Sequence, residues 1–366
     1  MSNETRAVEL LKRLIATPSL SREEAATADI LERELRGRGI DVRRQFNNVW
    51  AVQPCHDPSK PTLLLNSHHD TVRPAPSYTR DPFSPTLEQG RLYGLGSNDA
   101  GASTVCLAEL FTEYYNRELP FNLLLSLTAE EECMGEHGMR AFLPMLSEEG
   151  YLVDMALVGE PTAMQPAVGE RGLIVLDCVA HGVTGHAARH EGVNAIYRAM
   201  ADIETLRNYR FERVSPLLGD ISVQITQIEA GRQHNVVPDE CRFVVDVRTT
   251  DAYTNQETAD LLNAAIESDA RPRSTRVHAS AIAADHPLVR AAVAVGGSPF
   301  VSPTTSDMAL MHDIPSLKMG PGESSRSHSA DEYVELAEIA EALNVYDRFL
   351  QQLTEILKDE TMEQGL

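Results

Sequence analysis

The sequence has no apolar run approaching the roughly 20 residues that a bilayer-spanning helix needs, so no membrane partner is expected. The start, Met1-Ser2-Asn3-Glu4, lacks the basic region and apolar core of a secretory leader. Cysteine is sparse: Cys55, Cys106, Cys133, Cys178 and Cys241 are scattered, odd in number, and include no Cys-x-x-Cys pair. A disulfide framework is therefore excluded, and a reduced cytoplasmic protein is expected. Basic residues are also in deficit, 32 Lys and Arg against 54 Asp and Glu, for a formal charge of −22. A phosphate-backbone partner requires a basic surface, so nucleic acid is excluded as a ligand. There is no internal repeat and no low-complexity tract.

What remains is a globular chain of 366 residues, long enough for two domains. Its first part alternates helix and strand signals. A helix is expected from Glu4 to Ala16, with Leu10, Leu11, Leu14 and Ile15 on one stripe. Ser21 and Glu24 have the spacing of a capping box for a second helix, which the Gly37–Gly39 region ends. Strand-like runs follow at Val49–Val52, Leu63–Leu65, Leu123–Leu127 and Met155–Val158, with a helix from Ala102 among them. This rhythm predicts an α/β catalytic domain with a mostly parallel sheet flanked by helices. After Gly172 the texture changes to strands Leu173–Ala180, Ile221–Ile228 and Cys241–Val247, with helices near Asn194–Leu206 and Thr254–Ser268. From His286 the helix-strand-helix pattern resumes, ending in a helix expected from Asp331 to Leu357. Residues 1–171 and 286–366 are thus expected to form one domain, interrupted at 172–285 by an inserted α+β domain of two helices on a small antiparallel sheet.

The chemistry-bearing residues gather at expected strand ends. His68 and Asp70 follow the Leu63–Leu65 run and, being two apart in an extended segment, point the same way. A metal-bound imidazole needs a carboxylate to orient it, which makes His68 a candidate ligand and Asp70 its orienter; His69, pointing oppositely, reads as packing. Asp99 is the one charged group in the glycine-rich segment Gly94–Gly101, which lacks the spacing of a phosphate or dinucleotide loop. Glu130, Glu131 and Glu132 follow the Leu123–Leu127 run, and Glu160 follows Val158-Gly159. Adjacent Glu131 and Glu132 face opposite ways, so one suits a metal and the other a proton. His328 lies before the last helix, with Asp331 as that helix's expected cap. Each has a plainer alternative: a helix cap for Asp99, a solvated acidic turn for the glutamates, a structural loop for His328. Together, two imidazoles and three carboxylates (His68, Asp99, Glu132, Glu160, His328) suit a pair of divalent ions, with zinc first and cobalt or manganese compatible. Cys133 sits beside this set.

Assembled in this order along nearly the whole chain, these motifs resemble the di-zinc aminoacylase, deacylase and carboxypeptidase superfamily. Within it, the nearest likenesses are to acetylornithine deacetylase and succinyl-diaminopimelate desuccinylase. The resemblance implies that His68 and Glu160 bind one metal, Glu132 and His328 the other, and Asp99 bridges them. It implies that Glu131 is the general base. It also implies that the inserted domain serves as lid and homodimer interface, and that His186 stabilises the oxyanion, reaching a neighbouring subunit's site. Asn235 and Arg248 match substrate-contacting positions, Arg248 pairing with the substrate carboxylate, and Gly320 matches a loop lining the pocket. The implied reaction is hydrolysis of a small N-acyl amino acid, N-acetylornithine first, in arginine biosynthesis. N-acetylcitrulline, N-succinyl derivatives or a dipeptide are the alternatives. Two departures stand out: Asp99-Ala100-Gly101-Ala102 where many relatives have Asp-Met-Lys-Gly, and an extra residue between the paired glutamates and Gly135.

Overall fold

A computed structural model describes residues 2–364. The chain divides into two compact units: one holds the chain up to Val168, Ile282–Phe300 and the chain from Ser306 on, the other Gly169–Ala281 and Val301–Thr305.

The first unit is built on a sheet whose order runs Val42–Gln45, Asn48–Val52, Asn122–Thr128, Thr62–His68, Met155–Val158, Ser316–Lys318. The four strands from Asn122–Thr128 to Ser316–Lys318 are mutually parallel, and the outer pairs are antiparallel. The expected α/β architecture is therefore present. Its central strands are buried at every position, which explains their unbroken apolar lettering: both faces are covered. Leu63, Leu65, Leu123 and Leu125 pack into one core with the helices Asn3–Ile15, Ala25–Gly37, Ala102–Tyr114 and Leu336–Gln364. The intervening Leu64 and Leu124 face the opposite core, with Trp50, Met139, Phe142 and Leu146.

Chain order places the functional edge. Thr62–His68 lies between Asn122–Thr128, the next strand of this sheet along the chain, and Met155–Val158, the one after it, so the direction in which strands are added reverses across it. Such a reversal opens a crevice at the carboxyl ends of the strands. His68, the Glu130–Glu132 turn and Glu160 all lie there.

The second unit has an antiparallel sheet in the order Ser222–Ala230, Glu240–Thr249, Gly172–His181, Asp269–Pro272. Ile174, Leu176, Cys178 and Ala180 alternate inward onto the helices Ala195–Asn208 and Asn255–Ala264. Asn194 caps the first helix through Ile196 N–H, and Thr254 with Glu257 forms a capping box on the second. The strand Asp269–Pro272 has no counterpart in the sequence reading: it is short, polar and at the sheet edge, where proline is tolerated.

Three local expectations are corrected. Ser21 caps no helix; its hydroxyl donates to Asp70 Oδ2 (2.7 Å), and the Glu24 carboxylate accepts from Arg22 N–H and Glu130 N–H. Asp331 caps no helix either: it accepts from the Thr79 and Arg80 amides (both 2.9 Å). The residues after it form the strand Tyr333–Glu335, and the last helix is Leu336–Gln364. Among the described residues no helix is long and apolar enough to cross a membrane.

His69 is a packing residue with its polar atoms used. Nε2 donates to the Asn47 carbonyl (3.0 Å), and Nδ1 meets Thr27 Oγ1 (3.0 Å). Burial lowers its pKa to about 4. Between that value and roughly 6.5, the unfolded chain binds a proton that the folded chain refuses, so stability falls as pH drops. From pH 7 to 4.5, wild type should lose about 2–3 kcal/mol more than His69→Gln. Urea unfolding at both pH values checks this; equal losses in the two proteins would refute it.

Candidate metal centre

The parallel register aligns the strand ends: His68 pairs with Thr128, and Asn66 with Val158. His69 N–H donates to the Thr128 carbonyl (2.9 Å) and Gly159 N–H to the Asn66 carbonyl (2.7 Å), so the three chains are still bonded where they turn. Thr104 Oγ1 holds the His68 carbonyl (2.6 Å).

Asp70 organises the first half of the site. Its Oδ1 lies 3.3 Å from His68 Nδ1 and accepts from Glu131 N–H (3.1 Å); its Oδ2 accepts from Glu132 N–H (3.2 Å) and the Ser21 hydroxyl. His68 Nδ1 also lies 3.1 Å from the Asp70 carbonyl. Burial pushes the Asp70 pKa up, but His68 and the Ser21 hydroxyl outweigh it and hold the group below the usual carboxylate range. One carboxylate thus fixes both the imidazole and the main chain of the glutamate turn.

Glu332 organises the second half. Its buried carboxylate accepts from Gly96 N–H (3.0 Å), Asn98 N–H (2.8 Å) and Asp99 N–H (2.9 Å), clamping the loop that carries Asp99. Burial, then the Asp99 charge, raises its pKa to about 8. Gly96 takes a φ of +73°, and a Cβ there would run into the Thr71 side chain, so glycine is required. The Asp99–Ala100 peptide is cis.

Five expected ligands and the expected base converge. His68 Nε2 lies 3.3 Å from Asp99 Oδ1, 3.6 Å from Glu160 Oε1 and 3.8 Å from Glu131 Oε2. His328 Nε2 lies 2.9 Å from Glu132 Oε2 and 3.7 Å from Asp99 Oδ2. Asp99 therefore turns one oxygen to each imidazole. Donor atoms at zinc-ligand distances in a tetrahedron sit about 3.3 Å apart. The 3.3 and 3.6 Å separations around His68 and the 3.7 Å separation from His328 to Asp99 match that spacing better than direct hydrogen bonds, which fade beyond about 3.2 Å. The closer His328–Glu132 contact is also an ordinary ion pair. One ligand atom each of His68, Asp99 and Glu132 lies within 4.8 Å of the others. The set fits divalent cations in donor chemistry and spacing.

The electrostatics agree. Burial, and after it the charge of neighbouring carboxylates, pushes Glu131 and Glu160 well above the usual range, with His68 opposing. Burial lowers the His68 pKa, but the carboxylates around it, Glu131 first, hold it well above its ordinary value. The Glu132 hydrogen bond raises His328 to about 9.

Of the remaining expected residues, Gly320 belongs to this unit. A Cβ there would collide with Ser103 Oγ and the Glu160 main chain, and its carbonyl accepts from the Thr162 and Met164 amides. It permits close packing behind Glu160. His186, Asn235 and Arg248 lie in the second unit. His186 is exposed and pairs with Val236 across a two-stranded ribbon; the Asn235 carbonyl accepts from Ala187 N–H (3.1 Å). Arg248 donates to both oxygens of Asp246 (2.8 and 3.1 Å). Sequence reasoning missed Glu332 and the buried Asp307 beneath the strand ends; the acid adjoining Asp331 and the acid in Thr305-Ser306-Asp307 were the available signals.

Comparison with known proteins adds a family. A succinyl-diaminopimelate desuccinylase of Verminephrobacter eiseniae (strain EF01-2) is 27% identical, over 95% of this chain and 97% of that protein. The aminopeptidase PepT from Bacillus cereus ATCC 10987 shares the fold at a TM-score of 0.75 and 18% identity, covering 96% of this chain and 98% of PepT. Bacillus subtilis YXEP, described as a dinuclear metal binding peptidase from the M20 family, superposes at a TM-score of 0.71 and 18% identity, over 97% and 99%. The family model for Peptidase family M20/M25/M40 matches residues 64–352, and the chain, a metallohydrolase, belongs to that family.

Proposed function

We propose that this protein hydrolyses the amide bond of a small N-acyl amino acid, using two divalent metal ions. His68 and Glu160 would hold one ion, Glu132 and His328 the other, with Asp99 between them. The observation that carries the proposal is Asp99 placed between two imidazoles, each of which also faces a carboxylate of its own. Bound ions would lower the pKa of a water and polarise the scissile carbonyl; zinc, cobalt and manganese all suit the donors.

The chain's own residues carry the proton. Glu131 lies beside His68 but belongs to neither ligand set, and its raised proton affinity suits a group that accepts a proton from the attacking water and returns it to the leaving amine. Asp70 keeps the His68 ring and the Glu131 main chain in one geometry. His186, with Asn235 and Arg248, would supply the oxyanion donor and the substrate contacts. A homodimer through the second unit would place His186 in a partner's site; the exposed Tyr197 and Met200 of helix Ala195–Asn208 support such an interface.

The acyl group is the open choice. N-acetylornithine is the first reading of the sequence motifs, but the desuccinylase name of the relatives favours a succinyl group and lends no support to arginine biosynthesis.

Three outcomes are expected. Glu131→Ala should keep its metal content and lose about 10²- to 10⁴-fold in kcat; turnover near wild type with metal retained would remove Glu131 as the base. N-acetylornithine, N-acetylcitrulline and N-succinyl amino acids should be cleaved faster than dipeptides at equal concentration; a preference for dipeptides would make the protein an exopeptidase instead. Mixing inactive His186→Ala and Glu131→Ala proteins should restore about a quarter of wild-type activity, since half of randomly assorted dimers are hybrids with one intact site each. No recovery despite subunit exchange would exclude action in trans.

A further inference from the structure

Beneath the metal centre lies a carboxylate that the ligand set does not use. Asp307 opens the short turn Asp307–Leu310 and is 1% exposed. Its Oδ2 accepts from Asn66 Nδ2 (2.9 Å) and Thr128 Oγ1 (2.8 Å). Its Oδ1 is buried with no hydrogen-bond partner. Asn66 Oδ1 in turn accepts from the Ser126 hydroxyl (2.6 Å).

These groups are expensive where they are. Thr62–His68 and Asn122–Thr128 are buried at every position, and leucine fills the rest of their centres. Asn66, Ser126 and Thr128 interrupt that pattern only where Asp307 meets the two strands. A buried carboxylate with one oxygen unsatisfied destabilises a fold unless a positive charge offsets it. None of the hydrogen bonds to Asp307 comes from lysine or arginine. Burial raises the proton affinity of Asp307, the hydrogen bonds from Asn66 and Thr128 and the charge of His68 favour its anion, and the charge of Asp70 opposes it; Asp307 in turn adds to the charge felt by Glu131. The cations that would offset Asp307 are those the site above it is built to hold.

We infer that Asp307 is a positioning residue and an electrostatic counterweight for the metal centre. It grips Asn66, two residues before His68, and Thr128, the last residue of the strand leading to the glutamate turn. Its buried negative charge strengthens cation binding at the ligands. The same charge weakens the metal-free fold, so part of the metal affinity is stored as instability of the free protein. This inference rests on the two-metal reading.

The test compares full-length wild type with Asp307→Asn, both stripped of metal and titrated with zinc. The amide oxygen of asparagine can accept both hydrogen bonds, so the variant removes the charge and keeps the shape. Zinc affinity, read by competition with a chromophoric chelator, should fall about 10- to 100-fold. The metal-free variant should melt at or above the wild-type temperature, and its gain in Tm on adding zinc should shrink. A purely structural Asp307 predicts the opposite pattern, a lower metal-free Tm with unchanged zinc affinity, and that result would overturn the inference. Should Asp307→Asn not fold, as judged by circular dichroism, Asp307→Ser carries the same expectation of weakened zinc binding. Equal zinc affinity in wild type and variant refutes the counterweight alone; a wild type that binds no zinc, cobalt or manganese refutes the two-metal reading and the counterweight with it.

Discussion

The rest of the first unit depends on holding like charges together. Asp99, Glu131, Glu132 and Glu160 converge on two imidazoles at one sheet edge, where water cannot screen them well. Side chains alone would splay apart. What prevents this is main-chain anchorage by two further acids that do not face the imidazoles' metal-facing nitrogens. Asp70 takes the amides of Glu131 and Glu132, and Glu332 takes those of Gly96, Asn98 and Asp99. Backbone N–H groups are donors that cannot be titrated away, so these acids are positioned by acids through the main chain. Burial, and after it the charge of neighbouring acids, raises the proton affinities of Glu131, Glu160 and Glu332.

The parallel sheet makes that anchorage possible. Three parallel neighbours end on the same side, so residues at the strand ends or in the turns just beyond them, His68, Glu130–Glu132 and Glu160, come together. An antiparallel arrangement would send one of them to the opposite edge. The crossover from Thr62–His68 runs one way along the sheet and the next, from Asn122–Thr128 to Met155–Val158, runs back past it, the reversal that places a crevice at its carboxyl end.

This explains which features were legible in the sequence. Strands covered on both faces need apolar residues at every position, and the Leu63–Leu65 and Leu123–Leu125 runs announce themselves. Polar residues immediately beyond such a run are conspicuous, so His68, Asp70, Glu131, Glu132 and Glu160 could be singled out one by one. Glu332 and Asp307 could not, because each works through groups more than a hundred residues away. Nothing local distinguishes Glu332 from its neighbour Asp331, and capping rules favour the wrong one of the pair. Ser21 misled for the same reason: its spacing to Glu24 satisfies a local rule, while Asp70, far along the chain, takes its hydroxyl. Local signals fail where a tertiary partner offers a better bond.

The second unit divides its labour differently. Its core of Ile174, Leu176, Phe243 and Leu262 is a cluster separate from the two cores of the first unit. The Arg248 guanidinium is held in a fork by Asp246, two residues away on the same strand face. A substrate carboxylate approaching Arg248 would replace one carboxylate by another of like charge and geometry, an exchange close to neutral in energy compared with desolvating a free arginine. Asp246 thus keeps the fork ordered.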